Sequence, residues 1–282
     1  MTPPHDVTPR YEGPAIRLDQ VAVMRRTVPL VQDVDWHVRY GEHWVMLGRN
    51  GAGKTTLVRV ASATTFPSRG SAVVLGHRMG TVDLRTLRRH IGLVTAKQRL
   101  PDAEGHTAET VVLTGITGSV LPLWRHYDKT AHDQARHWLH AVGCGHLRDR
   151  SVRTCSQGER ARIRLARALI ADPALLILDE PFAGLDMPAR EDVLHVLEEL
   201  PSTRTDLTTV VVTHHVEEIP RTTTHALMLR DGCVSSVGPM TQAFTAETLG
   251  RCLGRDVLLT SIEGRWSAQV RSTPPDGPVG QL

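Results

Sequence analysis

The stretch GRNGAGKT, Gly48 to Thr55, constrains this chain more than any other. It follows a short apolar run, WVMLG, and precedes TLVRVASATTF, whose apolar residues recur at helical spacing. Strand, glycine-rich turn and helix in that order open a parallel α/β sheet. The pattern G-x-x-x-x-G-K-[ST] in this context lets successive backbone N–H groups curl around phosphate oxygens, with the positive end of the helix behind them. Lys54 is then expected to reach the β- and γ-phosphates, and Thr55 to ligate Mg²⁺. Gly48, Asn50, Gly51, Ala52, Gly53 and Thr56 complete the expected nucleotide cradle.

A second constraint is LLILDE, Leu175 to Glu180, an apolar strand that ends in two carboxylates before Pro181. Ligands bind at the carboxyl edge of parallel strands, so Asp179 is expected in the Mg²⁺ shell and Glu180 beside an attacking water. The same letters alone also describe a buried strand running into a solvated acidic turn. The phosphate loop upstream is what favours the catalytic reading.

The remaining pattern supplies the organisation. AIRLDQVAVM and VQDVDWHVRY alternate apolar and polar residues and predict a β-hairpin. Further strands are expected at SAVVLG, HIGLVT, LLILD, TTVVVT and ALMLRDG. Between about residues 100 and 154, AETVVLTGITG and DKTAHDQARHWLHAVG predict a helical insertion, with Gly143 ending the second helix. Residues 1–14 read as a disordered polar leader, 15–244 as the main domain, and 245–282 as a short extension whose tail is disordered.

Composition narrows the function classes. Lys+Arg 33 against Asp+Glu 30 leaves a net charge of +3, too small for a scaffold whose affinity rests on neutralised phosphates, so nucleic acid is an unlikely partner class. The longest stretch without an ionisable side chain, Thr110 to Trp124, falls short of the ~20 apolar residues of a membrane-spanning helix. Cys144, Cys155, Cys233 and Cys252 form no CxxC pair and read as reduced packing residues. Arg160, Arg164 and Arg167 fall on one helical face and are expected to be solvated.

Over roughly Ile16 to Gly238 the motifs resemble, in order, those of the ATP-binding subunits of ABC transporters. CSQGE, Cys155 to Glu159, is similar to that family's LSGGQ and is followed by a helix, RARIRLARALI. The resemblance implies an α/β fold: a P-loop NTPase core with an N-terminal antiparallel β portion and a helical insertion subdomain. It also implies that Ser156 and Gly158 grip the γ-phosphate of ATP bound to a second copy. AGLD, Ala183 to Asp186, then crosses between copies, and His214 in VVVTHH contacts the γ-phosphate and works with Glu180 as the hydrolytic pair.

Three departures accompany the resemblance. The family's adenine-stacking aromatic falls at Arg25, which leaves guanidinium stacking, or a ring from Trp36 or Trp44, as alternatives. The Mg²⁺-contacting glutamine falls at Ala96, with Gln98 two residues further on. Gln157 stands where the family has glycine, a costly exchange if that position needs a positive φ. The expected cofactors are ATP and Mg²⁺, and the expected partners a second ATPase copy and a membrane permease, which would place the chain in the cytoplasm at the inner face of the membrane. The alternative is a soluble ABC-type ATPase acting on another macromolecule. The narrower likeness is to the subgroup related to molybdate-transport ATPases.

Overall fold

Alternating burial along Ile16–Arg25 (β1) and Val28–Val38 (β2) suits strands with one dry and one wet face, and the two pair antiparallel from Ile16 opposite Val38 to Arg25 opposite Val28. The fully buried His43–Gly48 (β3) reads as an interior strand and leads into Lys54–Ala61 (α1). This is a computed structural model, which describes residues 13–96, 100, 106–118 and 127–271.

Arg69–Val74 (β4) returns beside β1, followed by the short His77–Arg78 (β5), Leu84–Arg88 (α2) and Ile91–Thr95 (β6). The helical part holds Ala108–Leu113 (α3), a 3-10 turn to Thr117, and Lys129–Ala141 (α4), which is N-capped by Asp128. Gly143 at φ 70° stands just past α4, donating its N–H to His140 O at 2.9 Å. Gln157–Leu169 (α5), Leu175–Asp179 (β7), Met187–Thr203 (α6) and Thr208–Thr213 (β8) rebuild the α/β alternation. His225–Arg230 (β9), Cys233–Pro239 (β10), Met240–Ala243 (α7) and Ala246–Leu253 (α8) follow, and a hairpin of Val257–Ile262 (β11) and Arg265–Val270 (β12) ends the described chain.

The strands form an antiparallel sheet, β2-β1-β4-β5, and a central sheet, β10-β9-β3-β8-β7-β6, parallel except for β10. One core cluster, with Trp36, Met46, Leu57 and Ile177, fills the space between the two sheets around α1. A second, with Val112, Leu139, Ile163 and Leu194, joins the helical part to α5 and α6. A third unites Val45, Leu47 and Met228 of the central sheet with Phe244, Leu249, Cys252 and Val257. Residues 245–270 are therefore packed structure built on the sheet, with a helix, α8, that the sequence pattern did not single out.

The arginine face of α5 is half-buried rather than fully solvated. Arg160 donates from Nε to Val152 O at 3.1 Å, and Arg167 from Nε to Thr114 Oγ1 at 2.8 Å. Burial holds the Arg164 and Arg167 guanidiniums below their ordinary pKa. The cause is the 3-10 turn after α3, which lies against α5 and brings its backbone so close that Gly115 has no room for a side chain. In the stretch Thr110 to Trp124, Val111, Val112 and Leu113 are core, while Leu121, Leu123 and Trp124 lie outside the described residues.

A Cβ at Gly115 would collide with the carbonyl of Arg167 and come within 2.6 Å of Ile170 Cγ2. Gly115→Ala is expected to destabilise the fold by about 1–3 kcal/mol through overpacking. A lower thermal unfolding midpoint is the check, and an unchanged midpoint contradicts the close approach.

Candidate active site

The parallel register brings the site together. Leu47 of β3 lies opposite Thr213 of β8, and Asp179 of β7 lies opposite both Val212 of β8 and Thr95 of β6, so the carboxyl ends of these strands share one edge. At that edge the loop from Gly48 to Gly53 turns into α1 and borders a cleft of about 690 Å³. Two glycines of the loop are required sterically. A Cβ on Gly48 would strike the carbonyl of Leu229, and Gly53, at φ 100°, would bring one within 2.5 Å of Val31 Cγ1 and 2.8 Å of Leu30 O. The turn after β9 steadies the loop, Gly232 N–H donating to Ala52 O at 3.2 Å.

Asn50, Gly51, Gly53, Lys54, Thr55 and Thr56 line the cleft, whereas Gly48 and the buried Ala52 lie behind it. The Lys54 ammonium folds back on the loop, donating to Gly48 O at 2.7 Å and Arg49 O at 3.2 Å, and stands 3.9 Å from Glu180 Oε1. Burial holds its pKa below the usual lysine value, partly offset by the charges of Glu180 and Asp179. Such a buried cation beside open backbone N–H groups is a phosphate-binding arrangement. Thr55 and Asp179 both line the cleft and offer a hydroxyl and a carboxylate, hard oxygen donors that suit Mg²⁺.

Glu180 follows directly after β7 with a left-handed backbone, φ 53°, an uncommon conformation for a residue with a side chain. It is held there by Glu180 N donating to Val212 O at 2.9 Å and Ala183 N donating to Glu180 O at 3.2 Å. His214 Nδ1 lies 3.3 Å from Glu180 Oε1. Both side chains are about one-third exposed; Glu180 lines the cleft, and His214 stands beside it without being part of the cleft wall. His214 is fixed from behind: the Thr213 hydroxyl bonds the Glu218 carboxylate and accepts from His215 N at 3.0 Å. His215, which had no role in the sequence reading, has its ring 4.1 Å from that of His214.

Ser156 and Gly158 do not line this cleft. Ser156 caps α5, its Oγ accepting from Glu159 N at 3.2 Å while Glu159 Oε2 accepts from Ser156 N at 2.6 Å. Gln157 is an exposed residue in the first turn of α5 and has no positive φ, so its replacement of glycine carries no backbone strain. Gly158 is needed for packing, since a Cβ there would lie 2.6 Å from Ala189 Cβ.

Arg25 sits exposed beside the turn of the β1–β2 hairpin and is not part of the cleft wall, where Leu30 stands instead. Trp36 is buried between the sheets, and Trp44 stacks on His225 with ring centroids 4.8 Å apart, so neither supplies a ring to the cleft. Ala96 lines the cleft, and Gln98 lies outside the described residues. Leu30, adjacent to the loop in space but not in sequence, is one lining residue that motif reading missed, and Arg59, Ser62, Thr64 and Leu93 are others.

Comparison with known proteins agrees with this geometry. The family described as ABC transporter matches residues 31–183, more than half of the chain. An uncharacterized ABC transporter ATP-binding protein, YlmA of Bacillus subtilis (strain 168), is 38% identical over 237 residues, 83% of this chain and 89% of that protein. The molybdenum import ATP-binding protein ModC of Shewanella sp. (strain MR-4) is 31% identical over 241 residues, 84% of this chain and 62% of that protein. Among solved structures, the dimeric post-hydrolysis state of the ATP-binding cassette MJ0796 bound to ADP and Pi superposes with a TM-score of 0.69 at 22% identity, covering 80% of this chain and 98% of that one. With a lysine-bearing phosphate loop, paired acids and a histidine meeting at one sheet edge, the chain belongs to the ATP-binding subunits of ABC transporters, whose reaction is ATP hydrolysis.

Proposed function

We propose that two copies of this chain close around two ATP molecules and that their opening and closing drives a membrane permease. The observation that carries this reading is that the site is split: Lys54, Thr55, Asp179, Glu180 and His214 gather at one edge, while Ser156 and Gly158 open a helix outside that cleft. The α5 N-terminus is an anion-binding end, and in a closed pair it meets the γ-phosphate held by the other copy.

In the closed pair the loop N–H groups and Lys54 hold the phosphates, and Lys54 exchanges the loop carbonyls for phosphate oxygens. Thr55 and Asp179 would hold Mg²⁺, which when bound neutralises charge on the β- and γ-phosphates. Glu180 orients water for in-line attack on the γ-phosphorus and receives a proton from it, and the P–O bond to the β-phosphate breaks to leave ADP. His214, held by Glu180 through Nδ1, faces the γ-phosphate. Among the described residues no helix is long and apolar enough to cross a membrane. In this reading the permease is a separate subunit and the chain works at the inner membrane face.

Glu180→Gln keeps the shape of the side chain and removes the base. Its turnover is expected to fall by roughly 10²–10⁴-fold, with ATP still bound and a stable dimer on size-exclusion chromatography in Mg-ATP. Wild-type hydrolysis by this variant contradicts the role of Glu180. Lys54→Ala is expected to abolish tight nucleotide binding by calorimetry, and unchanged binding contradicts the phosphate-loop assignment. Affinity capture of the Glu180→Gln protein from solubilised native membranes in Mg-ATP tests the partner. A polytopic membrane protein supports transport, and recovery of ribosomal or nucleic-acid partners favours the soluble ATPase.

A further inference from the structure

The hairpin from Val257 to Val270 lies outside the span matched by the family, and its second strand packs against the turn Val216–Glu218 that follows His214 and His215. Its turn, Glu263 and Gly264, has positive φ at both residues and sits over Arg221, where a Cβ on Gly264 would be 3.4 Å from Arg221 Cγ. Arg265 follows, with its side chain only 22% exposed. Its Nη1 lies 3.0 Å from Glu198 Oε1, and its Nη2 donates to Glu191 Oε2 at 3.0 Å, so one guanidinium clamps two carboxylates of α6. Trp266 beside it packs edge-on against Phe244 with centroids 4.9 Å apart, fixing the strand to the core.

The two ends of this clamp lead to the two reacting side chains. Glu198 Oε1 also accepts from Arg221 N at 2.9 Å, which ties α6 to the chain that descends from His214. That chain is short and stiff. Glu218 is buried and bonded to Thr213, Ile219 is buried, and Glu218 N donates to His215 O at 3.3 Å. At its other end α6 is N-capped by Asp186, whose Oδ1 accepts from Ala189 N at 2.9 Å, and the loop before it, Ala183 to Asp186, hangs directly from Glu180.

We infer that Arg265 is a positioning residue for ATP hydrolysis: by holding Glu198 and Glu191 it locks α6 to the turn behind His214 and so sets the spacing of His214 and Glu180. It touches neither nucleotide nor water and acts through those two side chains. The inference rests on the reading of Glu180 and His214 as the hydrolytic pair. The C-terminal hairpin is then a part of the catalytic apparatus, and whatever displaces it slows hydrolysis without emptying the nucleotide cleft.

A double-mutant cycle on the full chain tests this, with ATPase rate, KM for ATP and thermal midpoint measured for His214→Ala, Arg265→Ala, Arg265→Lys and the pair His214→Ala/Arg265→Ala. Arg265→Ala is expected to lower kcat about three- to tenfold with KM within twofold, a size typical of coupling through packed networks. Arg265→Lys, which retains the charge, recovers part of the rate. In the His214→Ala background the Arg265→Ala step is expected to have no further effect on kcat, because the spacing it sets no longer matters. A loss of thermal midpoint with unchanged kcat, or equal losses of kcat with and without His214, overturns the positioning role. Wild-type turnover by His214→Ala on its own overturns the catalytic reading of the histidine, which separates that failure from this one.

Discussion

The parallel pairing of β7 with β8, and of β8 with β3, is the constraint on which everything else depends. It brings Leu47 level with Thr213 and Asp179 level with Val212, so a loop, an acid pair and a histidine remote in sequence finish at one edge. Parallel strands are buried on both faces, which is why LLIL and TTVVVT are apolar or β-branched throughout and why polar chemistry such as Asp179 is confined to their ends. Glu180 takes a left-handed backbone at that end. Two hydrogen bonds, one to β8 and one within its own loop, hold it, so the cost of the conformation is met by the sheet.

The sequence was legible where a motif and its flanking periodicity agreed. GRNGAGKT lay between a strand pattern and a helix pattern, and each of Asn50, Lys54, Thr55 and Thr56 lines the cleft. LLILDE placed Asp179 and Glu180 by the same logic. Helices α6 and α8 were opaque for physical reasons. Pro188 falls in the first turn of α6, where no backbone donor is needed, while Pro201 lies inside the helix near its end and forgoes one i→i−4 hydrogen bond, a cost offset by burial of Leu197 and Leu200. In α8, Gly250 interrupts a short pattern whose helicity depends on Thr245 as cap and on burial of Leu249 and Cys252.

The arginines of α5 show how spacing can mislead. Three cations on one helical face read as solvated because charge is costly to bury, yet Arg160 and Arg167 spend their Nε donors on the chain itself. What spacing could not reveal was the turn after α3 that closes over α5, a tertiary contact made by Gly115 from a separate part of the chain. Trp44 is the converse case. Its ring was a candidate for stacking on a base, and it stacks on His225 while its Nε1 donates to Glu42 at 2.9 Å.

Helix α6 carries more of the site than any motif on it suggests. Its first turn receives Gly158 of α5, Asp192 pairs with Arg162 at 3.0 Å, and Glu191 and Glu198 are held by Arg265. Gly158 therefore has a sufficient reason to be glycine in a single copy, independent of any nucleotide, and a side chain there would disturb α5 and α6 together. Ser156 differs, because its hydroxyl serves the cap of α5 itself. Glycine in this segment accordingly reflects helix packing, and the anion-binding character of the α5 N-terminus rests on its cap and its open N–H groups.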